Sequence, residues 1–412
     1  MKRKRRNPAV TAIISLLTVF FIVGVLYSPA QAIPAFARKY GISCSTCHDP
    51  FPRLKAYGEE FAGNGFQLPD GDEPPRVFQN AGDDRLLLQR DLPLAFRFDG
   101  YYAVREDPGE TANDFQTPWG LKILSGGNIA PDIGYYMYFY LSERGEVAGI
   151  EDAYVHFNNI AGTELDIMVG QFQISDPLFK RELRLTYEDY EFYKTHVGLS
   201  TADLTYDRGI FATYSLPSAT DLALELVNGN GKGEAENRLF DNDKYKNVFF
   251  RVSQEVPLYS DPETEGSTMS LNVGGYSYFG TESYPGPGEN KFYYYGYDAT
   301  FGAERYEVSA QYNYRNDDNP MFNMISPGDI VVKSAICQAV WMPKDFWYVT
   351  ALYNKIWANS IIYDALSLVP DYETLSCNLT YLQHTNVKMF AEYRYDIAFE
   401  TNRFVLGFVT GF

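Results

Sequence analysis

The sequence predicts an all-β transmembrane barrel of about 16 antiparallel strands, preceded by a small α-helical domain at the N-terminus. Three observations support this fold class: residues alternate between apolar and polar from Leu94 onward, tyrosine and phenylalanine are abundant, and the chain ends in Phe412. Aromatic residues make up 16% of the chain, as the aromatic girdles of an outer-membrane barrel require. The 412 residues accommodate one small domain and one large barrel.

Residues 1–32 have the pattern of a signal peptide. A basic stretch precedes an uncharged run from Ala9 to Tyr27, and Ala30-Gln31-Ala32 forms a small-x-small end. Cleavage is therefore predicted before Ile33. Because the apolar run is longer than usual, an uncleaved inner-membrane anchor is the alternative. An exported chain that forms a barrel is predicted to lie in the outer membrane of a Gram-negative bacterium.

The charge balance limits the possible partners. The chain has 53 acidic and 35 basic residues and a net charge of −18. An acidic surface argues against nucleic acid as a partner and is compatible with attracting cations.

Residues 33–67 are predicted to form a compact helical domain. Pro52 suits the first turn of a helix, and Phe51, Leu54, Tyr57 and Phe61 recur at helical spacing. So short a domain has little core of its own, so a bound group must supply much of it.

One motif in this domain points to that group. Cys44-Ser45-Thr46-Cys47-His48 is a Cys-x-x-Cys-His string, whose two thiols can form thioethers with haem while the imidazole ligates the iron. A thioredoxin-like pair or a partial zinc site is the alternative, but no βαβ pattern and no second Cys/His pair is nearby. We therefore expect a monohaem cytochrome c domain with one covalent haem c, held by Cys44 and Cys47 and ligated by His48 on the proximal side.

The distal iron ligand is not fixed by the motif. Between Ile33 and Pro93 there is no Met and no second His. Strand alternation turns His156 and Met168 towards the lumen, and His196 lies in a long loop that can fold inward. These three are the distal candidates, although the sequence favours an ordinary role for each, as a lumen-facing polar residue, a packing Met or a loop residue.

Residues 68–93 are rich in Pro, Gly and Asp and are predicted to be a linker. From residue 94 to residue 412 the period is two, as in Tyr306, Val308 and Ala310, which alternate with polar residues. In a membrane barrel this apolar face contacts lipid and the polar face lines the lumen, whereas a soluble all-β protein turns the apolar face inward.

Long and short connections between the predicted strands alternate, which is typical of outer-membrane barrels. The connection 173–206 is the longest and is predicted to fold into the lumen as a constriction. The connection 256–266 is predicted to be long, although its place in the alternation belongs to the short connections. The long connections are 106–117, 173–206, 230–245, 316–329 and 358–370, and the short ones are 159–163, 217–220, 303–304, 342–345 and 383–385.

Two further groups of residues have alternative interpretations. Cys337 and Cys377, each inside a predicted strand, are either disulfide-bonded or free thiols facing lipid or the protein interior. Acidic loop residues are either oxygen donors for divalent iron or solvated charges. These residues are Glu106, Asp107, Glu110, Asp114, Asp176, Glu182, Glu188 and Asp189.

The motifs around the cysteines resemble a known family. Pro34-Ala35-Phe36-Ala37-Arg38, the Cys-x-x-Cys-His string, Phe51-Pro52-Arg53-Leu54, Tyr57-Gly58-Glu59-Glu60-Phe61 and Asn64-Gly65 are similar to the fused monohaem cytochrome–porins of iron-oxidising bacteria. In the barrel, Asp152-Ala153-Tyr154-Val155 and Val169-Gly170-Gln171-Phe172 resemble general porins. Only Cys44, Cys47 and His48 can be assigned functions from this resemblance.

The resemblance implies an Fe(II)-oxidising oxidoreductase of the outer membrane. An extracellular donor, Fe(II) foremost, would pass electrons through one haem in or at the barrel to a periplasmic c-type cytochrome or similar carrier. A hydrocarbon band roughly 25 Å tall is too thick for a haem on one side to serve both sides. The alternatives are an electron outlet to extracellular acceptors, a solute porin with a cytochrome plug or sensor, and an inner-membrane-anchored cytochrome with a soluble β domain.

Overall fold

A computed structural model of the chain describes residues 35–68, 78–79, 82–83, 85–90, 93–241, 243–261, 266–283, 287–325, 328–359, 362–363 and 366–412. The predicted signal peptide 1–32 and most of the predicted linker 68–93 lie outside the described residues. Residues Phe78–Gln79 and Leu88–Gln89 of the linker pair as a short hairpin.

Sixteen antiparallel strands close into one barrel, each paired with its neighbours in chain order, and the last pairs with the first. The strands are β1 Leu94–Asp107, β2 Glu110–Ala130, β3 Ile133–Glu143, β4 Gly149–Phe157, β5 Leu165–Gln173, β6 Tyr206–Leu216, β7 Thr220–Val227, β8 Asn247–Asp261, β9 Gly266–Glu282, β10 Asn290–Ala303, β11 Tyr306–Asp317, β12 Ile330–Lys344, β13 Trp347–Ala358, β14 Tyr372–His384, β15 Val387–Asp396 and β16 Thr401–Gly411. The predicted strand number is confirmed.

The predicted long loop 106–117 is wrong. Asp107 pairs with Glu110 across a two-residue turn, and β2 begins eight residues before the predicted start near 118. Pro118 has no N–H to donate, and it lies in a bulge of β2. Asp99 of β1 pairs with Gly120 and Tyr101 with Gln116, so the ladder continues on both sides of the proline. The connection 256–266 is likewise shorter than predicted, because β8 runs to Asp261 and β9 begins at Gly266.

The outer face of the barrel is apolar and the lumen is polar. Leu224 and Leu226 are exposed on the outside, whereas Glu225 between them is fully buried in the lumen. On β11 the exposed Tyr306 and Val308 alternate in the same way with buried polar residues. A closed ladder with an apolar outer face requires a bilayer around it, so the predicted outer-membrane location and lipid partner are confirmed.

The two cysteines of the barrel wall are predicted to be either disulfide-bonded or free. Cys337 and Cys377 are both free and exposed, which agrees with lipid-facing thiols and not with a disulfide. No helix in the described ranges is long and apolar enough to cross a membrane.

The connection between β5 and β6 (residues 174–205, the inner loop) folds into the lumen, as predicted. Tyr193 is fully buried there, and the hydroxyl of Tyr190 donates to Gln338 Oε1 at 3.0 Å. Arg315 of β11, also fully buried, donates from Nη1 to the carbonyls of Thr195 at 2.9 Å and Ala202 at 3.0 Å. The loop is therefore attached to the wall along its length.

Residues 35–68 (the N-terminal segment) contain helices α1 Ala35–Tyr40, α2 Cys44–Cys47 and α3 Ala56–Gly63. The predicted helix start at Pro52 is wrong, because residues 49–54 form a turn that closes a bridge between His48 and Leu54. The segment lies in the lumen at the end where the connections are short. There Tyr348 Oη donates to the Phe51 carbonyl at 2.8 Å.

Further contacts fix the N-terminal segment against the opposite wall. Asn158 Nδ2 donates to the Asn64 carbonyl at 2.9 Å, and the ring of Phe66 stacks on Tyr136 with centroids 5.2 Å apart. Since β3 and the turn after β4 hold it on one side and β13 on the other, the segment spans the lumen.

Glu392 is expected to be essential for the position of the inner loop. Its carboxylate accepts the backbone N–H groups of Tyr187 at 2.6 Å and Glu188 at 2.9 Å. Glu392→Leu leaves these donors unpaired at a cost of about 1–3 kcal/mol each. We expect faster tryptic cleavage after Arg181 or Arg184 in the variant. Cleavage at the wild-type rate, or an equal increase in a variant of the exposed Glu106, would contradict this role.

Candidate functional site

The two cysteines of the Cys-x-x-Cys-His string lie on a single turn of helix. Ser43 caps this turn by accepting the Ser45 N–H on its hydroxyl at 3.3 Å. The spacing of three residues places Cys44 and Cys47 on the same face, and both line one cavity of about 330 Å³. Burial raises the pKa of both thiols.

The imidazole of His48 is fixed by the turn that follows it. Its Nδ1 lies 2.8 Å from the Pro52 carbonyl oxygen and 3.1 Å from that of Arg53. Because carbonyls only accept, Nδ1 donates its proton and Nε2 keeps a free lone pair. Burial lowers the pKa of His48, although the two backbone hydrogen bonds oppose that shift. This neutral, oriented imidazole is the form that ligates metals.

The segment 49–54 is what produces this geometry. Arg53 N–H donates to the Pro50 carbonyl at 2.8 Å, and Lys55 N–H donates to the Cys47 carbonyl at 2.9 Å. The chain thus reverses immediately after the histidine, and its carbonyls point back at the ring.

Gly58 allows helices α2 and α3 to pack closely. A Cβ at this position would lie 2.3 Å from the Cys47 carbonyl oxygen, far inside contact distance. On the other side, a Cβ at Gly134 of β3 would lie 2.5 Å from the Gly65 carbonyl oxygen. Glycines thus allow two close backbone contacts, one between α2 and α3 at Gly58 and one between the N-terminal segment and the wall at Gly134.

The cavity has an apolar side and a polar side. The N-terminal segment supplies mostly apolar walls, and the barrel and inner loop add charged groups. The apolar lining includes Phe36, Ile42, Phe51, Leu54, Phe61 and Phe66, and the polar lining includes Arg97, Ser125, Asp152, Asp176, Lys180 and Glu182.

These residues fit a covalently attached haem. The volume is within the range of about 300–1,000 Å³ found for ligand sites, and both thiols and the imidazole line the same space. Aromatic and aliphatic walls suit the faces of a porphyrin. Arg97, whose Nε also donates to Asp99 at 2.7 Å, lies at the polar side where carboxylate substituents could be recognised.

The three predicted distal candidates do not line this cavity. His156 and Met168 face each other across β4 and β5, and His156 is buried with neither ring nitrogen hydrogen-bonded among the described residues. His196 lies in the inner loop with its Nε2 3.5 Å from Asp203 Oδ2. The structure therefore brings Cys44, Cys47 and His48 together and leaves the other three outside the site.

Sequence reasoning missed Asp152, which lines the cavity. Asp152 has the same strand parity as His156, so its lumen orientation was predictable from the alternation. Asp176 and Glu182 are predicted as oxygen donors for iron or as solvated charges, but not as neighbours of the cysteines, because nothing in the sequence shows which part of the wall the inner loop contacts. Among the described residues, no group of three or more His, Cys, Asp or Glu side chains is arranged to hold a metal ion.

A second, more polar cavity of about 200 Å³ adjoins the first. It contains two ion pairs, one between Arg53 and Glu307 and one between Lys180 and Glu59. Leu54, Lys180 and Leu183 line both cavities, so the two are separated by few side chains.

Comparison with known proteins identifies the barrel fold. No family model and no curated protein matches the sequence. Solved outer-membrane proteins match in structure. OmpF of Salmonella typhi, in complex with daunomycin, is 13% identical, covers 78% of this chain and 97% of its own, and has a TM-score of 0.56.

Two other channels match over the same share of this chain. The anion-selective porin of Comamonas acidovorans is 11% identical, covers 78% of this chain and 99% of its own, and has a TM-score of 0.54. The channel DcaP of Acinetobacter baumannii is 13% identical, covers 78% and 97%, and has a TM-score of 0.51. At such identities the likeness establishes a porin-like outer-membrane barrel.

Replacing Gly58 should open the site. Gly58→Ala forces α3 away from the Cys47 carbonyl, and overpacking of this kind costs about 1–3 kcal/mol. In protein made without haem and lacking Cys337 and Cys377, we expect maleimide to alkylate the remaining thiols roughly 5- to 150-fold faster. Gly63→Ala is the matched control, since a Cβ there has no neighbour within 4 Å. Equal alkylation rates in both variants would show that the close approach at Gly58 does not matter.

Proposed function

We propose that this protein transfers electrons across the outer membrane through a single haem c held inside its barrel. One observation above all supports this function: Cys44, Cys47 and His48 line a cavity within the lumen, next to the wall strands. Because the surrounding hydrocarbon is roughly 25 Å tall, a redox centre must lie inside the barrel to be near partners on both sides.

The residues that would hold the haem follow from the cavity. Cys44 and Cys47 would form the two thioethers and His48 would ligate the iron through Nε2. The haem would supply reversible one-electron chemistry. The protein supports it by orienting His48 through the Pro52 and Arg53 carbonyls, excluding water with aromatic walls, and placing Arg97 at the polar side.

The direction of electron flow that we propose is inward. The resemblance of residues 34–66 to the cytochrome–porins of iron-oxidising bacteria supports Fe(II) as the extracellular donor. The N-terminal segment lies at the end with short connections, which is the periplasmic end in outer-membrane barrels. A soluble periplasmic c-type cytochrome or similar carrier could therefore collect the electron there, which makes the protein an Fe(II)-oxidising oxidoreductase.

The haem assignment can be tested by spectroscopy. Protein from a host that matures c-type cytochromes should retain haem on a denaturing gel, and excess Fe(II) should reduce it at the working pH. Cys44→Ala combined with Cys47→Ala should abolish covalent haem, and His48→Ala should change the spectrum. His156→Ala and Met168→Ala should not, because neither residue lines the cavity. A wild-type protein without haem would refute the proposal.

A second candidate function is diffusion of solutes. The structural neighbours favour it, because they include porins and one of these is described as anion-selective. The inner loop and the N-terminal segment both occupy the lumen, which argues for a narrow passage at most.

Conductance in a planar bilayer separates the two functions. We expect the full-length protein to conduct far less than OmpF, and a variant that lacks residues 35–68 to conduct more, because the lumen is then filled only by the inner loop. Large, steady currents from the full-length protein would favour the solute porin.

A further inference from the structure

The polar side of the larger cavity contains two carboxyl groups that form no ion pair among the described residues. Asp152 of β4 and Asp176 of the inner loop both line it, on the side contributed by the barrel and the loop. Asp152 is 7% exposed, and its Oδ1 has no hydrogen-bond partner among the described residues.

The other charges on this side of the cavity are already balanced. Glu182 lies 3.3 Å from Lys122 and accepts from the Tyr138 hydroxyl at 2.9 Å. Although burial opposes it, Lys122 and the nearby arginines lower the pKa of Glu182 to about 2, so this carboxyl stays ionised.

The two cations that line this side are paired as well. Lys180 forms an ion pair with Glu59, and Arg97 with Asp99. Both cations therefore already have an acidic partner other than Asp152 and Asp176. Lys180 also attracts Asp176, but it is shared with Glu59.

Asp176 is the member of the pair that belongs to the inner loop. Its Oδ1 accepts only a long hydrogen bond, 3.4 Å, from Gln173 Nε2. Burial raises the pKa of Asp176 to about 6, with Lys180 opposing the shift and Glu59 and Glu182 adding to it. Two like charges that line one cavity do not both ionise readily, so we expect the pair to hold one proton over part of the neutral pH range.

We infer that Asp152 and Asp176 form a proton acceptor. The pair would take up one proton when the proposed haem in this cavity is reduced and release it when the haem is oxidised. This inference rests on the proposed function. An added negative charge nearby favours the protonated carboxyl, just as a neighbouring carboxylate does.

The step balances in charge and atoms. The donor would lose one electron to the haem that Cys44, Cys47 and His48 would hold, and one proton from water would form an O–H bond with a carboxylate oxygen of the pair. When the periplasmic carrier accepts the electron, that O–H bond breaks and the proton returns to water. The adjoining polar cavity, which shares Lys180 with the first, is the natural entry for the proton.

Several charged or titratable groups face the pair and set its proton affinity. The N-terminal segment contributes Glu59, and the inner loop contributes Lys180 and Glu182. From the wall and the connection between β7 and β8 they are Tyr136, Glu151, Tyr154, Tyr206, Glu225 and Lys232.

The test is the midpoint potential of the full-length, haem-loaded protein as a function of pH. We expect the potential to fall as the pH rises through the neutral range. The slope should approach a tenfold change in the equilibrium constant per pH unit, or 59 mV for one electron. Asp152→Asn or Asp176→Asn should shift the sloping region to lower pH, because the remaining carboxyl loses its repelling neighbour. The double variant should remove the slope.

A matched control and a second measurement complete the experiment. Glu282→Gln changes a buried lumen carboxyl that does not line the cavity, and it should keep the slope. In the unmodified protein, redox-difference infrared spectra should show a protonated carboxyl band gained on reduction. A pH-independent potential in haem-loaded protein, or an unchanged slope in the double variant, would overturn this inference alone. Absence of haem, visible in the absorbance beforehand, would overturn the proposed function with it.

Discussion

A barrel of sixteen strands encloses more space than its own wall side chains can fill, and the rest of this structure depends on how that space is occupied. Two segments fill it, the inner loop and the N-terminal segment. Each is bound to the wall by hydrogen bonds to buried polar residues, such as Arg315 for the inner loop and Asn158 for the N-terminal segment. The polar lumen thus serves as the attachment surface, and the cavity lies where the two segments and the wall meet.

The charge distribution in the lumen follows from the same packing. Buried carboxylates and cations are mostly paired across segments, as in Lys122 with Glu182 and Arg53 with Glu307. Such pairs help to fix the position of the two segments in the barrel, because leaving a buried charge unpaired costs free energy. Asp152 and Asp176 depart from this rule, and they do so on the wall of the cavity that Cys44, Cys47 and His48 line.

Much of the fold was predictable because a barrel strand has a period of two and a closed wall leaves few alternatives. The strand number, the lipid and lumen faces of β7 and β11, and the inward folding of the inner loop all follow from alternation and connection length. The error at β2 arose at Pro118, where a bulge accommodates the proline within a continuing ladder.

The site was predictable only in part. The motif itself identifies Cys44, Cys47 and His48, but the carbonyls that orient the imidazole come from a turn at 49–54 where helical spacing suggested a helix. The polar wall depends on contacts between residues far apart in sequence, such as Asp152 and Asp176. Alternation shows the direction of a side chain, but not which loop residue faces it.

The enclosure of the two cysteines also imposes an order on biogenesis. The turn after β4 and strand β13 hold the N-terminal segment between them, through Asn158 and Tyr348. An enzyme that joined the proposed haem to those sulfur atoms would have to reach them inside the finished cylinder. If the proposed haem is present, its attachment would therefore be expected to precede the sealing of β16 onto β1, so that the membrane insertion machinery would receive a chain whose first folded portion is already complete.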